Sequence, residues 1–181
     1  MSCFPHSHSQ SEIHRERERE REMALTEKQE VLVKESWEIL KQNVPEYSIR
    51  LFLRIMEVAP EAKNMFSFLR DSDEIPQNNP KLQAHAMKVF KLTCESVIQL
   101  RECGAVAIAG STLKHLGSVH LKIGVTDRQF DMVKDALLRT IEEAVGEKWS
   151  EEMEGAWGVG YDQLAAAILA EMKDDAVPTA N

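Results

Sequence analysis

PKLQAHAMKVFKLTCESVIQLRECGAVAIAGSTLKHLGSVHLKIG, residues 80–124, is the stretch on which the fold turns. In its first half Leu82, His85, Val89, Leu92 and Ser96 recur at helical spacing, which predicts a helix with His85 in the middle of its buried stripe. In its second half Leu113, Leu116, Val119, His120 and Ile123 follow the same period, and Gly124 supplies a stop just past the last periodic residue. The interval between the histidines leaves room for a helix of about twenty residues, a turn around Gly104 to Gly110, and a second, shorter helix packed against the first. Either histidine alone reads more readily as a core imidazole with a hydrogen-bond partner. A zinc site would want further His, Cys or carboxylate ligands at close spacing, such as H-x-x-x-H, and the sequence offers none. Two imidazoles projecting from two apolar faces suit a flat, mostly hydrophobic cofactor held through a metal by a neutral ring nitrogen.

Outward from this stretch the chain reads as helix throughout. Thr26-x-x-Gln29 forms a capping-box pattern ahead of Val33, Trp37, Leu40 and Val44. Pro45 opens a second helix with Phe52, Ile55, Met56 and Ala59 on its inner side, and Pro60 forces a corner. The cluster Met65, Phe66, Phe68 and Leu69 precedes a polar loop, Asp71 to Asn79, and Asn79-Pro80 is a cap followed by a first-turn proline. The short apolar run Ala105 to Gly110 has no strand to pair with and reads as a helix-to-helix connection. Thr126-Asp127 caps a helix carrying Phe130, Val133, Leu137, Ile141 and Val145, closed by Gly146; Ser150 caps a last one carrying Met153, Trp157, Tyr161, Leu164, Ile168 and Met172. Trp37, Trp149 and Trp157 are packing residues. Six long helical segments plus one or two short ones, without a strand, make an all-α domain.

The 181 residues are 43% hydrophobic and 29% charged, which suits one globular domain with a tail. No run approaches a membrane span, and the N-terminus lacks an apolar signal core, so a cytoplasmic location is expected, with the nucleus open by diffusion. A formal charge of −8 argues against nucleic-acid backbone and anionic lipid as partners. Cys3, Cys94 and Cys103, odd in number and without C-x-x-C spacing, read as reduced thiols, Cys94 and Cys103 structural or inert. Residues 1–22 include the alternation Arg15 to Glu22 and read as a disordered low-complexity extension, in which His6, His8 and His14 carry no function. The domain is expected to occupy 23–174, with 175–181 as a disordered tail.

The ordered pieces E-S-W-E-I-L-K (35–41), E-V-A-P (57–60), M-F-S-F-L-R-D-S (65–72), N-P-K-L-x-A-H-A (79–86), L-G-S-V-H-L-K (116–122) and A-L-L-R-T-I-E-E-A-V-G-E-K-W-S (136–150) resemble a plant haemoglobin from about Leu25 to Met172. D-S-D-E (71–74) and K-E-S-W-E-I-L-K (34–41) are most like class 2 nonsymbiotic members; A-V-G-E-K-W-S and A-A-A-I lean toward leghaemoglobins. The resemblance implies the globin fold, about eight helices around haem, and one haem b per chain. It implies His120 as the proximal iron ligand and His85 as the distal histidine, itself a reversible iron ligand. Val89 would stand on the distal wall, Phe66 against the haem face and Phe52 over the distal pocket, where leghaemoglobins tend to carry Tyr. Ser67, Lys81, His115 and Val119 match positions that line the haem or meet its propionates; His115 departs from the Arg often found there. Segments Glu57–Glu61 and Asp127–Arg139 resemble dimer-contact motifs. Met23-Ala24-Leu25 resembles where such proteins usually begin.

Two functions follow from the resemblance. One is a haem-dependent oxidoreductase that binds O2 and NO, reduces nitrite to nitric oxide under low oxygen and oxidises NO to nitrate when O2 is present. His85 would be its catalytic residue, placed to deliver a proton, and electrons would come from an external donor because no flavin motif or reductase domain is visible. The alternative is an O2-binding storage, transport or buffering protein of leghaemoglobin type. A haem-free helical bundle is the bland third.

Overall fold

A computed structural model describes residues 25–69, 75–103 and 108–176. The first helix, α1 (Glu27–Leu40), starts where the sequence places it. Thr26 Oγ1 accepts from the Gln29 amide at 3.2 Å, while Gln29 Oε1 accepts from the Thr26 amide at 3.0 Å. Two of the four N–H groups that a helix start leaves without partners are thereby satisfied. A 3-10 turn (Lys41–Asn43) leads into α2 (Val44–Val58), with Pro45 in its first turn. Pro60 cannot continue α2, and Pro60–Met65 winds instead into a 3-10 helix. The third helix, α3 (Pro80–Cys103), is capped by Asn79, whose Oδ1 accepts from the amides of Lys81 at 2.9 Å and Leu82 at 3.3 Å.

Helix α4 (Gly110–Ile123) ends at Gly124, whose φ of 76° lies in the left-handed region that a residue with a Cβ avoids. Helix α5 (Asp127–Val145) begins with Gln129 Oε1 accepting from the Thr126 amide at 2.8 Å, and stops at Gly146 (φ 58°). A 3-10 turn (Gly146–Lys148) precedes α6 (Glu151–Ala176), capped by Ser150, whose Oγ accepts from the Met153 amide at 3.2 Å. The all-α expectation holds: six α-helices and three short 3-10 segments, with no strand among the described residues. Helix α6 continues to Ala176, so residues 175 and 176, expected in the tail, are helical. The N-terminal extension, residues 177–181, Cys3, residues 71–74 of the polar loop and residues 105–107 of the apolar run lie outside the described residues.

The core is centred on α6. Helix α4 packs on it, α3 and α1 cross it, and α2 pairs with α3 and α5. Two glycines permit the closest approaches. A Cβ on Gly117 would stand 2.5 Å from Glu171 Cβ and 2.9 Å from its backbone carbon; one on Gly160 would stand 2.4 Å from Val97 Cγ1. Backbones therefore approach at α4–α6 and α3–α6 to distances that only the missing side chains allow.

The main core gathers Val33, Leu40, Phe90, Val97, Leu137, Ile141 and Trp157, all at most 1% exposed. Burying side chains of this size contributes about 1.5–3 kcal/mol each. One polar link runs through it. Trp157 Nε1 donates to Ser36 Oγ at 2.9 Å, and that hydroxyl donates back to the carbonyls of Leu32 and Val33 in its own helix. Charge ties the outside: Glu143 on α5 takes both Arg50 and Arg54 of α2, and Lys134 meets Asp162 at 2.6 Å.

Two expectations are corrected. The stripe of α3 in the core is Leu82, Ala86, Phe90, Cys94 and Val97, one position round from the expected His85, Val89 and Leu92, which are half-buried; of the expected stripe, Leu82 and Ser96 are inside. Helix α4 rests on α6 and not chiefly on α3. Helix α3 thus has a second apolar face, carrying His85, Val89 and Leu92, that is half-buried.

Replacing Ser36 with Ala should destabilise the protein by about 1–3 kcal/mol, because the Trp157 N–H then lies in the core with no acceptor; chemical denaturation monitored by tryptophan fluorescence reads the loss. Gly117→Ala gains at most about 1 kcal/mol of helix propensity but meets the α6 backbone, at a cost of about 1–3 kcal/mol. The expected net result is a lower melting temperature, seen in a thermal scan.

Candidate functional site: an aromatic-walled slot between two histidines

His120 lies three residues after Gly117, so the close crossing of α4 on α6 also sets where its imidazole stands. Its Nδ1 is 2.7 Å from the carbonyl oxygen of Leu116, one turn back. A carbonyl has no proton to give, so Nδ1 carries the hydrogen and Nε2 keeps its lone pair. A metal-binding imidazole needs that tautomer. The ring of Phe130, from the first turn of α5, stacks on His120 with centroids 5.7 Å apart and planes 27° apart. Val119 and Ile123 share the His120 face of the helix and are 39% and 40% exposed.

His85 stands on the half-buried face of α3 among three phenyl rings. Phe66 lies 5.1 Å away edge-on, Phe68 6.1 Å and Phe52 6.3 Å, and Phe52 also meets Phe66 at 5.1 Å. Phe52 comes from α2, buried with Met56 and Leu82; Phe66 and Phe68 follow the Pro60 3-10 helix. Burial holds the His85 pKa below its ordinary value, and the charges of Lys88 and His120 push the same way. At neutral pH His85 is therefore uncharged, with one nitrogen free to accept or to ligate.

The other expected positions divide. Val89 is half-buried one turn beyond His85; Ser67, Lys81, His115 and Val119 are exposed. Three contributors escaped the sequence reading: Phe68, the stacking ring of Phe130 and the Leu116 carbonyl. The spacing F-S-F at 66–68 signals the first; nothing local signals a stack between α4 and α5. Cys94 is fully buried with its thiol pKa pushed up, away from the slot and chemically quiet.

The donor set fits an iron porphyrin. His120 and His85 would hold the iron through imidazole nitrogen, and among the described residues no group of three or more His, Cys or carboxylate side chains offers a metal site built from protein ligands alone. The α3 and α4 faces and the phenyl rings give it apolar walls. A Globin family model matches residues 49–168. The chain belongs to the globin family. It is 69% identical to an anaerobic nitrite reductase of Gossypium hirsutum over 84% of this chain and 96% of that one. It is 64% identical to an anaerobic nitrite reductase of Arabidopsis thaliana over 84% of this chain and 97% of that one. Leghemoglobin-1 of Lupinus luteus is 56% identical over 84% and 98%. These relatives bear out the likeness to class 2 plant haemoglobins, with leghaemoglobin as kin. Among solved structures, a neuroglobin of the marine acoel Symsagittifera roscoffensis superposes with a TM-score of 0.72 at 25% identity, over 81% of this globin and 98% of that one.

The lowered His85 pKa has a sign. Above the ordinary value of 6.5 the imidazole is neutral in folded and unfolded chains alike and its environment costs nothing. As pH falls below 6.5 the unfolded chain takes the proton more readily, and stability is lost down to the folded pKa. A ring-proton NMR titration of the haem-free chain should place His85 below 6.5, and His85→Leu should flatten the acid limb of its stability profile.

Proposed function

We propose that this globin binds haem between His120 and His85, reduces nitrite to nitric oxide when oxygen is low, and oxidises NO when O2 is present. Two observations carry this reading: His120 commits Nδ1 to the Leu116 carbonyl, which leaves Nε2 for a metal, and half-buried His85 stands among the rings of Phe52, Phe66 and Phe68. The names of the Gossypium and Arabidopsis relatives support the nitrite reaction. Haem supplies the one-electron chemistry, in which nitrite takes one electron and two protons and leaves as NO and water; the electron comes from an external donor.

The chain's own part is holding, excluding and proton handling. His120 would hold the cofactor through Nε2. Phe52, Phe66 and Phe68 keep bulk water from His85, so a hydrogen bond made there is stronger than in solvent. His85 would either ligate the iron itself or hydrogen-bond the incoming ligand. Its depressed pKa makes the neutral, ligating form the resting one, and makes a proton picked up at the ring easy to pass on. Val89 would complete the distal wall, and Ser67, Lys81, His115 and Val119 would border the cofactor's edge.

One haem b per chain, a homodimer and a cytoplasmic location belong to the same proposal. Val58 between exposed Glu57 and Glu61, 39% exposed itself, and exposed Asp127, Asp131, Asp135 and Arg139 on α5 leave both contact segments available to a second copy.

Oxygen storage is the second reading, supported by the leghaemoglobin kinship. The deoxygenated ferrous spectrum separates the two: six-coordinate low-spin bands are expected for His85 ligation, and five-coordinate high-spin bands would favour storage. Anaerobic nitrite added to the same cuvette should form NO. His85→Leu should abolish the six-coordinate bands and change the nitrite rate; no change in either would remove His85 from the chemistry.

A further inference from the structure

We propose that Tyr161 is a positioning residue for His120, acting through Phe130. The inference rests on the haem-binding reading above. Tyr161 sits in the middle of α6, 5% exposed, and its hydroxyl donates to the backbone carbonyl of Phe130 at 3.0 Å. Phe130 is the residue whose ring stacks on His120. Three helices are thereby joined in one line: phenol on α6, carbonyl and phenyl on α5, imidazole on α4.

Each link has a separate physical task. The bond from Nδ1 to the Leu116 carbonyl decides which nitrogen carries the hydrogen, but one hydrogen bond leaves the ring able to rock about its Cβ–Cγ axis. The phenyl of Phe130, nearly parallel and in contact distance, removes that rocking. It does so only while the first turn of α5 stays in place, and helix ends are where backbones fray. Tyr161 pins that turn from the core. A phenylalanine would fill the same volume without the demand for a buried acceptor, so the hydroxyl is what distinguishes this position from plain packing. Burial, with Asp162 and Asp131 nearby, raises the phenol pKa well beyond its ordinary value, and the group remains a donor at every working pH. Orientation of the imidazole in turn decides how strongly and how uniformly Nε2 holds iron.

The test uses haem-loaded protein in a His85→Leu background, where His120 is the one remaining imidazole ligand and the ferrous iron–imidazole stretching band is visible by resonance Raman. Tyr161→Phe should broaden that band, move it to lower frequency and speed haem transfer to an acceptor globin several-fold. Phe130→Leu should do the same, and the double variant should go no further than Phe130→Leu alone. A Tyr161→Phe protein whose melting point falls while the band keeps its position and width would overturn the proposal, as would effects of the two substitutions that simply add. Failure of the background protein to take up haem would instead strike the haem reading, and this inference with it.

Discussion

The contact between α4 and α6 at Gly117 governs the rest of the structure. With no Cβ there, the α4 backbone lies against Glu171 and Met172, and the turn that follows it delivers His120 to one fixed place. The polar link between Ser36 and Trp157 and the second bare crossing, Gly160 on Val97, hold α6 as the platform on which that placement depends. Packing of this kind is rigid because any displacement opens a void or forces an overlap, each worth kilocalories.

On this platform the two histidines are treated oppositely. His120 is over-determined, with one nitrogen committed to a carbonyl and one face covered by a phenyl. His85 has aromatic edges around it, and burial, helped by nearby charges, disfavours its protonation. One held imidazole and one adaptable imidazole would suit the haem site proposed above.

Local signals in the chain were legible. The caps at Thr26, Asn79, Thr126 and Ser150 and the stops at Gly124 and Gly146 lie where residue type and spacing place them, because each is satisfied within a few residues. The anchors from 35 to 150 pointed to the globin fold. The α3 stripe was misread by one position because that helix is apolar on two sides, and periodicity cannot tell a face turned to the core from a face turned to a slot. The Ser36–Trp157, Tyr161–Phe130 and His120–Phe130 pairings join different helices, so no window of sequence contains them.

Glu143 deserves a last consequence. It alone on α5 receives both arginines of α2, the helix that carries Phe52 over His85, and all three side chains are open to solvent. Dissolved ions weaken such a clasp, whereas the neutral bonds and bare backbone crossings around His120 are indifferent to them. The molecule is consequently lopsided toward its ionic surroundings: electrolyte loosens the roof over one imidazole and leaves the floor beneath the other as it was.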